Sequence, residues 1–284
     1  MKGLRQIKNK IKGIENLKRI THAMALISAT KMRKAQKYAL ISRPITNAIL
    51  SLIKDFKGLE HFLIKENKAK KDLLIVVGAD RGLAGSLNSN IFKEAVEFLK
   101  NYDREIHLIL IGKKTINFFQ RSRFEKYKIV VKFEKFGDYF LVEQTLPLTD
   151  FLIESYKNKI YKNVFIIYTH FIKTFEQKVI TRKILPLKFA DVFEILKPSE
   201  ENFDYLIEPD KKTFQEKTIP IIFRILVHHL ILEANASEHS ARMVAMKKAA
   251  DNATEILSSL YLTYNKIRQE KITEEILDIL RSVQ

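Results

Sequence analysis

The chain has 284 residues, 46% of them apolar, enough to fill one large core or two ordinary ones. It carries 50 Lys and Arg against 33 Asp and Glu, a net charge of +17, and no cysteine. Disulfides, thiolate chemistry and cysteine-based zinc sites are thereby excluded, and the charge calls for an acidic partner: nucleic acid, an anionic membrane surface or an acidic protein.

The N-terminus, MKGLRQIKNKIKGIE, has charge spread through it and no apolar block of signal-peptide length. No continuous apolar run of about eighteen residues follows, so the sequence reads as soluble and membrane-associated only through partners. Residues 1–40 hold eleven Lys or Arg against the single Glu15. Leu4, Ile7, Ile11 and Ile14 open a helical stripe that continues through Thr21, Ala25, Ser28, Met32, Ala35 and Ala39, then Ile49, Ile53 and Phe56. The small residues in its middle allow two helix backbones to approach closely. Lys18 sits on this seam, and Leu17, Ile20, Met24 and Ile27 form a second stripe beside it, so the helix is expected to touch more than one neighbour. Pro44 predicts a kink or join, and Gly58 a stop.

The middle of the chain alternates. Strands are expected at 73–78, 106–111, 164–169 and 178–185, and helices at 88–100, 113–121 and 140–158. This order predicts a mostly parallel, Rossmann-like α/β domain whose last two strands form a hairpin. Residues 190–212, with Pro198, Pro209 and many acids, read as a loop-rich return.

All eight glycines lie at or before Gly137 and no proline follows Pro220, which leaves 221–284 without a helix breaker. Ile222, Ile225, His229, Leu232, Ala236, His239, Met243, Met246, Ala250, Ala253, Leu257, Leu260, Tyr264 and Ile267 fall at alternating steps of three and four, the seam of a left-handed coiled coil. Such a helix of roughly sixty residues is about 90 Å long, against a radius of gyration of roughly 13 Å for a domain of about 100 residues. It is therefore expected to project and to pair antiparallel with the N-terminal helix. The expected domains are 1–57 and 213–284 as a two-helix coiled coil and 72–190 as the α/β domain. A seam rich in Ala, Thr and Ser buries little, so other chains are expected to sheathe it.

Four stretches, ITHAMALISATKMRKAQ (20–36), DRGLAGSLN (80–88), SEHSARMVAMKKAADNA (237–253) and YNKIRQEKITEEILDI (264–279), together resemble the gamma-subunit family of rotary F-type ATP synthases. The resemblance runs from the first residues nearly to the last. It implies a central rotor shaft turning in a ring of alpha and beta subunits and coupling proton flow to ATP synthesis or hydrolysis. It implies an epsilon subunit and a membrane c-ring at the α/β foot. Ala84 and Ser86 stand where the family commonly has Cys and Gly, and Arg281-Ser282 replaces a small Ser-Gly pair.

The loop DRGLAGSLN lies between an apolar strand and a helix, where a phosphate-binding loop would lie. Its glycines, Gly78, Gly82 and Gly85, miss the G-x-G-x-x-G spacing, and the second strand ends in Gly112-Lys113-Lys114 without an acidic residue. No P-loop is present either. The loop is expected to be a tight structural turn, with Asp80, Gly82, Gly85 and Asn88 as its key residues and Asp80 or Asn88 capping nearby amides. No cofactor is expected. His229 and Glu233, one turn apart, lack a third metal ligand, and Ser237, Glu238, His239 and Ser240 point in different directions along a helix and cannot converge as a triad. No catalytic residue is expected.

By resemblance, Met24, Arg242, Gln269, Thr273 and Glu275 occupy positions that tune coupling between shaft and ring, and Arg268 with Gln269 forms a pair held by polar loops of the beta subunits. Lys31, Arg33 and Lys34 extend a basic face suited to an acidic segment of a beta subunit. Two rival readings are weaker. A nucleic-acid-binding coiled coil would interleave aromatics with its basic residues, yet Tyr38 stands alone in the first forty. An α/β enzyme leaves both helical ends unexplained. A start at the family's own N-terminus, without a transit peptide, implies a bacterial protein on the cytoplasmic side of the plasma membrane.

Overall fold

The computed structural model describes residues 2–41, 44, 47–50, 61–121, 124–134, 141–196 and 210–282. Expectations for the chain around Pro44, for Ile53, Phe56 and Gly58, and for the acidic stretch beyond Leu196 lie outside them. The elements run α1 (Lys2–Ile41), β1 (Lys71–Val77), α2 (Leu87–Lys100), β2 (Ile106–Ile111), α3 (Lys113–Phe119), β3 (Ile129–Phe133), α4 (Leu146–Lys157), β4 (Tyr161–Lys173), β5 (Glu176–Leu185), α5 (Phe189–Leu196) and α6 (Lys211–Ser282). The chain divides into a helical unit, Met1–Ser28 with Arg242–Gln284, and a sheet unit, Ala29–Ala241. Both divisions fall inside a helix.

The sheet has the order β3-β2-β1-β4-β5. Its pairings are parallel except for the β4–β5 hairpin, which is antiparallel. Strand alternation explains why the central strands are apolar throughout. Leu73, Ile75, Val77, Ile109 and Ile111 face one core, with Leu148 and Leu152 of α4. Leu74, Val76, Leu108 and Leu110 face the other, with Ile91, Ala95 and Leu99 of α2 and Ile116 and Phe119 of α3. A parallel sheet covered on both faces needs such two-sided strands. Asp72, fully buried at the start of β1, accepts from Asn163 N and Nδ2, Tyr102 Oη and Arg104 Nε at 2.7–2.9 Å, so its charge is answered on both oxygens.

Three expectations need correction. The sequence reading omitted β3, whose five residues, IVVKF, are mostly half-buried and carry a lysine at the sheet edge. Residues 189–196 form a helix instead of opening a loop, because Val192 and Leu196 repeat at helical spacing and are buried. The long C-terminal helix does not project over its whole length. Ile219, Ile222, Phe223, Leu226, Val227, Leu230 and Ile231 belong to the sheet unit's own core. An 18-residue stretch of this helix reaches a mean hydropathy of 1.4, long and apolar enough to cross a membrane by composition, and 67% of that stretch is buried inside the fold.

The ends of β1 and β2 meet through two glycines. A Cβ on Gly112, whose φ is +92°, would lie 2.1 Å from the Gly78 carbonyl oxygen. Gly85, at φ +58°, has open space around it, and Gly82 has neither a positive φ nor a close neighbour. Gly112→Ala is accordingly expected to destabilise the protein by about 3 kcal/mol or more, combining clash with backbone strain, and Gly85→Ala by about 1–2 kcal/mol. Gly82→Ala should stay within about 0.5 kcal/mol. Urea unfolding midpoints of the three variants test this ranking.

Candidate functional site

In the helical unit, the buried positions of α1 are Ile11, Thr21, Ala25 and Ser28, and those of α6 include Met246, Ala250, Ala253 and Leu257. They lie on the two seams read from the sequence. Tyr261 Oη donates to Glu15 Oε1 at 2.7 Å and ties the helices together. The acceptance by Glu15 raises the Tyr261 phenol above its ordinary value. Farther along α1, Ala35 packs with Leu232 and Ala236 inside the sheet unit.

The outward faces are unusually apolar. Leu17, Ile20 and Ile27 on α1 are about half exposed or more, with Met24 half-buried among them, and Leu262 on α6 is 72% exposed. From Ile272 to Ser282 every residue of α6 is exposed, including Ile272, Ile276, Leu277, Ile279 and Leu280. Contiguous apolar surface of this kind marks an interaction face.

Met24, Arg268, Gln269, Thr273 and Glu275 all belong to the helical unit, whereas Lys31, Arg33 and Lys34 belong to the sheet unit. Arg268, Gln269, Thr273 and Glu275 are exposed. Thr273 Oγ1 donates to the Gln269 carbonyl at 3.0 Å and Glu275 pairs with Lys271 at 3.5 Å, both local helical contacts. Lys31 is half-buried, and Arg33 and Lys34 are exposed, with Lys34 Nζ lying 5.9 Å from the centre of the Tyr38 ring. Arg242 differs from the others: at 6% exposure it is engaged inside the chain.

The loop after β1 is closed by its own side chains. Asn88 Oδ1 accepts from Ala79 N at 3.1 Å, and Asp80 Oδ1 accepts from Lys113 N at 3.0 Å, at the first residue of α3. Asp80 thereby ties the loop after β1 to the start of the helix that follows β2. Leu83 and Gly85 both have positive φ, so the turn strains one non-glycine residue.

A polar cluster in the sheet unit was only half visible in the sequence. Glu233 accepts from His229, one turn away on α6, at 3.4 Å, and it also meets His170 Nδ1 of β4 at 2.9 Å. Burial alone would raise the Glu233 carboxyl, but hydrogen bonds and charge from His229 and His170 outweigh it and hold the group below the usual carboxylate range. No group of His, Cys, Asp or Glu able to hold a metal ion occurs among the described residues. His170 could not be found by spacing because it lies 63 residues from Glu233.

The geometry defines a class of protein: a sheet unit with a mostly parallel α/β fold, and a helical unit in which the first and last helices pair along a seam of small residues and keep apolar outward faces. The ATP synthase family model matches residues 3–284. The chain is 37% identical to the ATP synthase gamma chain of Xylella fastidiosa strain M23 over 284 residues, 97% of this chain and 96% of that one. It is 36% identical to the ATP synthase gamma chain of Xanthomonas campestris pv. campestris strain B100, covering 99% of this chain and 98% of that one. Among solved structures it resembles a chain of the Euglena gracilis mitochondrial ATP synthase in an OSCP/F1/c-ring assembly, rotational state 3, with TM-score 0.65, 18% identity and coverage of 99% and 93%. A chain of the Tetrahymena thermophila mitochondrial ATP synthase central stalk and c-ring aligns with TM-score 0.60 and 20% identity, covering 81% of this chain and 99% of that one. The chain belongs to the ATP synthase gamma-chain family.

His228, beside this cluster, gives the fold a pH dependence. It is 4% exposed, and its Nδ1 has no partner. Burial, reinforced by His229, pulls its pKa down to about 4 against a weaker opposing pull from Glu143. Between about 4 and the ordinary 6.5 the unfolded chain takes up a proton that the folded chain refuses, so this contribution is complete above about pH 6.5 and is lost as the pH falls towards 4. His228→Phe is expected to flatten the stability loss across that window by about 3 kcal/mol relative to the parent, read from urea unfolding at stepped pH.

Proposed function

We propose that this chain is the central rotor shaft of a rotary F-type ATP synthase, turning within a ring of alpha and beta subunits and coupling proton flow through the membrane sector to ATP synthesis or hydrolysis. The observation that carries the proposal is the bare end of α6, which leaves Ile272, Ile276, Leu277, Ile279 and Leu280 open on a helix that ends in water unless a ring encloses it. Full-length similarity to gamma chains supports the same reading.

In this reading the chain is the non-catalytic part of an enzyme complex. The glycine spacing of the loop after β1 misses both phosphate-binding patterns, which disfavours a nucleotide there. The catalytic nucleotide sites then belong to the ring. An epsilon subunit and the c-ring contact the α/β base, and the chain meets the membrane only through these partners, on the cytoplasmic side of a bacterial plasma membrane. No nucleic acid is involved.

The mechanism is one of differential contact. A shaft with different faces presents different side chains to each of three beta subunits, and each subunit's conformational equilibrium shifts according to the face it meets. Arg268 offers a five-donor fork to carboxylates and Gln269 both a donor and an acceptor, so this pair anchors the tip to polar loops. Thr273 and Glu275 continue that contact. Lys31, Arg33 and Lys34 face an acidic segment of a beta subunit, and Met24 lies in the apolar stripe with Leu17, Ile20 and Ile27. Arg242, being buried, acts in this scheme by fixing the stalk's own packing.

Mixing the purified chain with its cognate alpha and beta subunits tests the proposal. The expected result is a ring complex whose sustained ATP hydrolysis requires this chain, with no turnover by the chain alone. Failure to associate, nucleotide turnover by the isolated chain, or salt-dependent retention on DNA that is lost on removing residues 1–40 would each overturn it. In the complete membrane complex, Met24→Lys is expected to lower proton pumping per ATP hydrolysed several-fold while the complex still assembles, because it adds charge beside an already basic face. An unchanged ratio would remove Met24 from the coupling surface.

A further inference from the structure

The sheet unit holds α6 by two grips that differ in kind. The first is apolar, where Ile222, Phe223, Leu226, Val227, Leu230 and Ile231 are buried in the core. Burial of this kind has no direction. Moreover, the next turns are buried on nearly every side, from Leu230 through Ser240, so no amphipathic stripe fixes how that segment is rotated about its axis.

The second grip is polar and directional. Glu233 Oε2 pairs with His170 Nδ1 at 2.9 Å, and Ser237 Oγ donates to the Thr169 carbonyl at 2.9 Å. Ser240 Oγ donates to the Thr174 carbonyl and receives Gln177 Nε2 at 3.3 Å, while Gln177 also donates to Thr174 O at 2.8 Å. Glu233, Ser237 and Ser240 are four and three residues apart, one stripe of a helix. Apart from His229, which meets Glu233 from α6 itself, the partners named lie on β4, β5 or the turn between them. Ser237 and Ser240 are fully buried, so water offers no substitute partner.

We propose that this stripe is the joint that carries torque between the α/β base and the shaft helix, with Glu233, Ser237 and Ser240 as positioning residues that fix the angle of α6 in its socket. The inference rests on the rotor reading above. An apolar socket resists withdrawal of the helix far more than its rotation, whereas hydrogen bonds fail on small angular errors. Side-chain tips about 5 Å from the axis move about 2.6 Å when a helix turns by 30°, enough to break each of these bonds. Beyond Ala241 the same helix continues without interruption to Ser282, so the stripe lies on the element that becomes the shaft.

The test uses the assembled ATP synthase in membrane vesicles. The triple variant Glu233→Gln, Ser237→Ala, Ser240→Ala is expected to assemble and hydrolyse ATP but to pump several-fold fewer protons per ATP. A second variant, His170→Cys with Glu233→Cys in this cysteine-free chain, is bridged with 1,2-ethanediyl bismethanethiosulfonate, which reductant removes. The bridged form is expected to recover the parental pumping ratio and to lose it on reduction in the same preparation, a reversal that loss of folding would not produce. A parental pumping ratio in the triple variant, or equal ratios in the bridged and reduced forms, would overturn the joint. If the unsubstituted chain itself supports no coupled pumping, the rotor reading fails and the joint with it.

Discussion

The change of surroundings along α6 is the constraint on which the rest of the structure depends. The helix is continuous from Lys211 to Ser282, about 108 Å at 1.5 Å per residue, yet its two halves meet different environments. From Thr218 to Ser240 it is a core element, and most of its positions are buried. From Arg242 onward it buries only a seam, and after Lys271 it buries nothing. A helix must satisfy its backbone internally to tolerate both conditions. The absence of glycine and of proline beyond Pro220 allows it to do so.

The seam itself is thin. Thr21, Ala25 and Ser28 on one side and Ala250 and Ala253 on the other remove far less apolar surface from water than leucines would. The Tyr261–Glu15 hydrogen bond is exposed and adds little of its own. Small residues bring the backbones close and keep the pair slender, and they leave the larger apolar side chains, Leu17, Ile20, Ile27 and Leu262, pointing outward. Packing that would ordinarily stabilise a two-helix stem is thus directed to its surroundings. Binding of a partner to that outer surface stabilises the folded stem by mass action.

How much could be read in advance follows from the range of each signal. The seams were legible because their period persists over many turns, and buried Thr21, Ala25, Met246 and Leu257 fall on it. The central strands were legible because a parallel sheet covered on both faces leaves an uninterrupted apolar run. β3 was not, since an edge strand of five mostly half-buried residues carries little apolar signal. The long-range polar contacts were invisible for a different reason. Nothing in the composition around His170 or Thr169 says that α6 will cross them, and only the crossing turns an ordinary histidine and a backbone carbonyl into anchors. The turn after β1 shows a third limit. Spacing drew attention to Gly82 and Gly85, while the steric necessity lies at Gly112, which faces Gly78 across the strand ends.

The same sheet shows what α6 does to a doubly wound topology. In an open parallel sheet the crevice for a ligand lies beyond the carboxyl ends of the strands, where neighbouring connections part. Here that place lies between β1 and β4, where Gly78 and Thr169 border Ala234, Asn235 and Glu238 of α6. The α/β framework that elsewhere holds a ligand at its strand ends here holds a helix.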